Sequence, residues 1–307
     1  MSTQPAPLDS ALDAVLAEQM PSGAFVSFVA LPNGPVADEN GFVTALVIHE
    51  LSRLPATPAL DAARARALDF LARCERPDRR GAFAFYPLDG QPDWMPIPLL
   101  PDADDTALMT LALVDGGRWP AARLTQAARQ VLEPFRLRWL AGNPRPWYRE
   151  GVYQTWIDEL CFPNPVDLCV NINIASLLHR SGLDHESGLT AIVDMTLAAF
   201  AWAGDSPQRA FLLTPYYPHP AELAHAVERA IDHGVTGLLP CRRPLRTLLG
   251  PPDDWPRDPP VCGSDDGRIV WRAPALQQAR RLRRAAAREA DSIRSPVTSP
   301  RTARSAQ

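Results

Sequence analysis

The chain lacks most of the signatures by which a sequence declares its chemistry. It contains no G-x-G-x-x-G, no P-loop and no G-x-S-x-G, so nothing in it announces a dinucleotide fold, a phosphate cradle or a nucleophile elbow. Its five cysteines, Cys74, Cys161, Cys169, Cys241 and Cys262, form no C-x-x-C pair and are odd in number. A disulfide framework is therefore not expected, and a reduced, cytoplasmic protein is the simpler reading. Lysine is absent: all 31 basic residues counted as Lys or Arg are Arg, a trait of composition rather than of function. The net charge of −4 and the lack of a basic patch interleaved with aromatics exclude nucleic acid as an expected partner. The longest apolar run, Leu189 to Gly204, is broken by Asp194 and is too short to span a bilayer. Met1 to Ser10 are polar and carry no charged-then-apolar leader pattern.

What is present is a large apolar complement, 46% of 307 residues, enough for the core of one sizeable domain. Amphipathic helical stretches are read over residues 9–19, from about Asn40, over 57–74, from Asp102–Asp105, over 120–140 and from Asp167, with no convincing strands between them. A repeat underlies them. Gly23-Ala24-Phe25, Gly81-Ala82-Phe83 and Gly151-Val152-Tyr153 each carry a second aromatic three residues beyond the first or closer, and each precedes a helix with a small or polar first turn. The spacings from Gly23 to Thr44, Gly81 to Thr106 and Gly151 to Asn173 are 21, 25 and 22 positions. Weaker copies start at Tyr216-Tyr217-Pro218 and Trp271-Arg272-Ala273-Pro274. A pitch of 58 and then 70 positions suits a helical hairpin plus a long loop. The expectation is an all-α array of about five to six hairpins; a linear solenoid and a closed α/α toroid both fit the period.

One stretch stands out. Asp102-Ala103-Asp104-Asp105-Thr106-Ala107 places three carboxylates within four residues, directly before an apolar helical run. Acids at a helix start cap its free N–H groups and suit its dipole. Three acids exceed what capping needs, and like charges this close hold at least one carboxyl protonated, as a general acid requires. Both readings stand on the residues alone. Asn171 and Asn173, with Asp167, open the corresponding helix of the next repeat and are candidates for the same cavity.

The same residues carry a family resemblance. Asp102-Ala103-Asp104-Asp105-Thr106-Ala107 resembles the DxDDTA motif of class II terpene cyclases, squalene–hopene cyclases among them. The approach is similar too, with Gly81-Ala82-Phe83-Ala84-Phe85-Tyr86 ahead of the motif and Pro101-Asp102 leading into it. The resemblance implies the α/α toroid of the terpenoid cyclase and prenyltransferase superfamily, over residues 1–292, with 293–307 a disordered Arg/Ser/Pro tail. It implies that Asp104 donates a proton to a linear isoprenoid, with Asp102 and Asp105 holding its proton and Thr106 assisting. Phe85, Tyr86, Trp156, Asn171, Asn173, Tyr216 and Tyr217 are the expected substrate contacts. Farnesyl or geranylgeranyl diphosphate, or a prenylated compound, is the implied substrate; no resident cofactor is required, and Mg²⁺ assists where the substrate is a diphosphate. Asp158, Glu159 and Cys161 depart from the zinc-ligand pattern of the prenyltransferases, and no metal site is expected. The full QW repeats are absent, and class II cyclases usually have two toroids, so a single toroid needs a homodimer, a partner or a smaller cavity. The Arg-rich helix over 276–292 is open to contact with an anionic membrane surface, although a solvated face is its default. Two other readings remain: a non-catalytic toroid that binds an isoprenoid or a protein, and an α/α-toroid enzyme acting on carbohydrate.

Overall fold

The computed structural model describes residues 7–95, 97–183, 188–264 and 266–294. Residues 295–307 of the expected tail lie outside the described residues. The elements in order are α1 (Pro7–Leu16), β1 (Val26–Leu31), β2 (Gly34–Glu39), α2 (Gly41–Leu51), α3 (Pro58–Arg73), α4 (Ala103–Asp115), α5 (Ala122–Gln126), α6 (Leu168–Arg180), α7 (Leu189–Ala203), α8 (Pro207–Phe211), α9 (Pro220–Asp232), α10 (Arg242–Leu249), β3 (Cys262–Gly263), β4 (Val270–Arg272) and α11 (Pro274–Arg294).

The glycine–aromatic repeat is a repeated piece of backbone. Gly23, Gly81 and Gly151 have φ of +99°, +94° and +92°, where a side chain is costly. The aromatic two residues on then donates its backbone N–H to a polar side chain one turn inside the next inner helix. Phe25 N meets Thr44 Oγ1 at 3.1 Å, Phe83 N meets Thr106 Oγ1 at 3.0 Å, and Tyr153 N meets Asn171 Oδ1 at 2.8 Å. Asn40, Asp102 and Asp167 cap those helices through their side chains. The third member of the repeat is therefore Asn171, not Asn173. A Cβ at Gly23 would sit 2.2 Å from the Arg66 carbonyl oxygen. Gly23→Ala is expected to cost more than about 1 kcal/mol in a urea titration, since both the dihedral and the close approach reject a side chain; an unchanged midpoint would contradict this.

The helices alternate between an inner and an outer position. Helix α2 packs on α4, α4 on α6 and α6 on α9, and α11 returns to α2. A buried ion pair between Glu222 and Arg280, with contacts of 2.8 Å, joins α9 to α11. On the outside α3 packs against α2 and α4, α5 against α4 and α6, α7 against α6, and α1 against α11. Helices α2, α4 and α6 are buried nearly all round, as helices enclosed on every side must be. Every residue of α2 but His49 is buried, and α6 is buried from Leu168 to Leu178.

Two expectations are corrected. The chain is not all-α: β1, β2, β4 and β3 form a four-stranded antiparallel sheet in the order β2-β1-β4-β3. β1 and β2 are a hairpin closed by Pro32-Asn33, with Leu31 opposite Gly34. β4 crosses from the far end of the chain to set Phe28 opposite Arg272. The helix expected over 120–140 is broken into α5, a wide π-type turn at Ala127–Leu132 and a 3₁₀ turn at Glu133–Phe135. Pro134 cannot donate to the helical ladder, which ends there. Among the described residues no helix is long and apolar enough to cross a membrane.

Candidate active site

The N-terminus of α4 sets out the three acids in three roles. Asp102 caps the helix, its Oδ1 accepting from the Asp105 N–H at 2.7 Å. Its own N–H is already given to the Phe83 carbonyl, so the Asp105 side chain has no capping-box partner to reach back to. Both Asp105 oxygens are buried without a hydrogen-bond partner. Burial, then the Asp102 and Asp104 carboxylates, push its pKa well above the usual carboxylate range. Burial likewise lifts Asp102, to about 6.

Asp104 lies between them, 5% exposed. Its Oδ1 accepts from Asn173 Nδ2 at 2.5 Å. Burial and then the Asp102 charge raise its pKa well above the usual range, while Asn173 and the Arg229 charge pull the other way. With Oδ1 engaged as an acceptor, a proton held by Asp104 sits on Oδ2. Arg229 fixes the orientation of the Asn173 amide. Its Nη2 and Nε donate to Asn173 Oδ1 at 2.8 and 3.2 Å, and since guanidinium can only donate, the atom it meets is the oxygen. Behind Arg229 the chain of buried charge continues. Glu222 is 3.9 Å from Arg229 and 2.8 Å from Arg280, and Glu50 is 3.1 Å from Arg283.

The three acids line a cavity of about 430 Å³ at the N-terminal ends of the inner helices. Its walls are aromatic: Phe42, Phe85, Trp94, Trp156, Tyr216, Tyr217 and Trp271. The rings support one another. Phe42 stacks on Phe85 at 6.1 Å, Phe85 meets Trp271 edge-on at 5.2 Å, and Trp94 leans on Trp271 at 6.1 Å. Trp156 Nε1 donates to Tyr216 Oη at 3.0 Å. A larger cavity of about 560 Å³ lies toward the C-terminal ends of α2 and α4, lined by Arg64, Arg118, Arg229, His49 and His233. It contains neither the acids nor any Phe, Tyr or Trp, and the candidate chemistry is not there.

The expected site residues separate into three groups. Asp102, Asp104, Asp105, Phe85, Trp156, Tyr216 and Tyr217 meet at the aromatic cavity. Asn173 meets the acid and not the cavity wall. Thr106, Asn171 and Tyr86, also expected to contact substrate, stand outside the lining of the cavity. Thr106 and Asn171 hold the backbone of the glycine–aromatic turns; Asn171 Nδ2 also donates to the Tyr153 carbonyl at 2.9 Å. Tyr86 is 4% exposed and gives its hydroxyl proton to Asp38 Oδ1 at 2.8 Å, under the β1–β2 hairpin. No sequence motif points to Arg229, Glu222, Arg280 or Phe42, and Trp271 enters only as the start of a weak repeat copy. The one signal available was that Glu222 and Arg229 stand two turns apart, on one face of α9.

No known family profile and no curated protein matches this chain. Solved structures similar to it include the type II terpene cyclase MstE from Scytonema, without ligand: 17% identity, 91% of this chain and 97% of that one covered, TM-score 0.46. A variant of the same enzyme in complex with its substrate geranylgeranyl dihydroxybenzoate matches at 16% identity over 90% and 94% of the two chains, TM-score 0.43. A protein from Actinoplanes matches at 16% identity over 91% and 98%, TM-score 0.46.

Proposed function

We propose that this chain is a class II-type terpene cyclase that starts ring closure by protonating a linear isoprenoid, with Asp104 as the acid. The cycle of inner helices α2, α4, α6, α9 and α11 inside its outer helices is then an α/α toroid. The observation that carries the reading is a buried carboxyl, Asp104, anchored through Oδ1 and facing an aromatic cavity. Burial keeps the acid protonated, and Asn173 with the Arg229 charge stabilises the carboxylate it becomes. The proton passes from Asp104 Oδ2 to the terminal alkene carbon, and the electrons of that double bond form the new C–H bond. The cation left on the neighbouring carbon is attacked by the next double bond, and so on through the chain. Aromatic faces attract such a cation without capturing it as a nucleophile would. Loss of a proton from the last cation makes the whole reaction an isomerisation. Water must stay out of the cavity, where it would quench the cation.

A carbohydrate enzyme of this architecture brings its carboxylates together from separate helices; here all three belong to the start of α4. A non-catalytic binder would use the same cavity and yield no product. The test is incubation of the full chain with linear isoprenoids, followed by mass spectrometry. The expected result is a cyclic isomer of the substrate. Its rate should fall as pH rises, because the acid must be protonated and its raised pKa places the loss above the ordinary carboxylate range. Unchanged substrate from folded protein, or a rate that climbs with pH, would contradict the proposal.

A further inference from the structure

We infer that the aromatic cavity takes isoprenoids whose head group is uncharged and rejects prenyl diphosphates. This rests on the reading of the cavity as an isoprenoid site, and it narrows the substrate class. The charged side chains among the described residues lining the cavity are Asp102, Asp104 and Asp105; no Arg or His lines it, and the chain has no Lys. A diphosphate drawn into the cavity would find no counter-charge there, and an anion taken out of water without one is costly. Arg229 lies behind Asn173, 2% exposed, and is committed to Asn173 and Glu222. The basic residues of the β3–β4 segment are also engaged: Arg268 pairs with Asp266, and Arg272 donates to the Asp258 carbonyl.

Helix N-termini are the other common seat for phosphate. Here they are occupied. Asn40 accepts from Val43 N, Asp102 from Asp105 N and Asp167 from Val170 N, so the starts of α2, α4 and α6 are each capped by their own side chain. A cation bridge is not laid out either. Among the described residues no group of three or more His, Cys, Asp and Glu is placed to hold a metal ion between the protein and a diphosphate.

The cavity does offer neutral polar atoms. Trp94 Nε1 and Thr155 Oγ1 are buried without a hydrogen-bond partner, and both residues line it. Thr155 is 3% exposed. An indole N–H can only donate, so Trp94 calls for an acceptor such as a hydroxyl, ester or ketone oxygen. An unpaired buried donor costs free energy that such an oxygen would recover.

The test is direct binding to the full chain, read by quenching of tryptophan fluorescence, with Asp104→Asn used so that turnover cannot intervene. The probes are farnesol, geranylgeraniol, farnesene and the two corresponding diphosphates, each with and without Mg²⁺. The alcohols are expected to bind about 100-fold or more tightly than the diphosphates, with Mg²⁺ making no difference. Trp94→Phe should weaken farnesol by about 5- to 10-fold and leave farnesene, which has no acceptor, unchanged. Diphosphates that bind as tightly as the alcohols, in either condition, would overturn the inference and leave the isoprenoid reading standing. Folded protein that binds none of the probes would overturn the isoprenoid reading, and the inference with it.

Discussion

Asp104→Asn is expected to reduce cyclisation by about 10³-fold or more while the protein stays folded. A positioned general acid contributes about 10² to 10⁴ in rate, and an amide cannot supply the proton. The fold should tolerate the change because Asn keeps the shape and keeps an oxygen to accept from Asn173 Nδ2, the contact made at 2.5 Å. The substitution also removes a group that burial penalises whenever it ionises. Its melting temperature should therefore equal or exceed that of the parent. The contrast with Asp102→Asn is informative. Asn caps a helix about as well as Asp, so that variant should fold and retain some activity. Equal activity in Asp104→Asn and the parent would remove Asp104 from the chemistry and return it to the role of a first-turn acid.

Glu222→Gln is expected to produce the largest loss of stability, about 3–5 kcal/mol in a denaturant titration. Glu222 is 2% exposed, and so are both arginines it answers, Arg229 and Arg280. Neutralising it leaves two buried guanidinium groups with their compensation halved. Arg280 retains Glu50 only at 3.8 Å, and Arg229 retains the Asn173 carbonyl oxygen. Burial is what sets the size of the effect. Arg242 and Glu228 make a shorter contact, 2.6 Å, yet their side chains are 49% and 44% exposed. Water screens that pair, and Glu228→Gln should cost less than about 1 kcal/mol. If the two substitutions cost the same, the buried charges are hydrated and the inner cycle of helices is more open than described.

The residues differ in how far they could be read in advance. Gly23, Gly81 and Gly151 were legible as a repeat because a turn at positive φ accepts little besides glycine, and the polar residue that binds its backbone recurs at nearly fixed spacing. The assignment of Asn173 to that repeat failed by two positions. Asn171 and Asn173 are both amides, and only the loop length ahead of α6 decides between them. The β1–β2 hairpin carried its own signal in the apolar run from Val26 to Leu31, with Val26, Phe28 and Val29, and in the Pro32-Asn33 turn that follows it, but the aromatic repeat beside it claimed the segment. β3 and β4 are two and three residues long and exist because β4 pairs with β1, more than two hundred positions away. No local pattern holds that information. The same is true of Arg229, Glu222 and Arg280. On isolated amphipathic helices they resemble a solvated face, and they become a buried array only once α6, α9 and α11 enclose them. The motif located the buried carboxyls; the groups that surround them came from packing.

The most direct test of the central claim is to run the cyclisation in D₂O and weigh the product. A carboxyl proton exchanges with solvent before the substrate enters, so an acid-started reaction places a single solvent deuterium on the carbon that Asp104 protonates. The account predicts a cyclic product carrying one deuterium, bound to carbon and not lost on return to H₂O. A cyclic product of unchanged mass would mean that the cation arises without a proton from the protein, and would contradict the role given to Asp104.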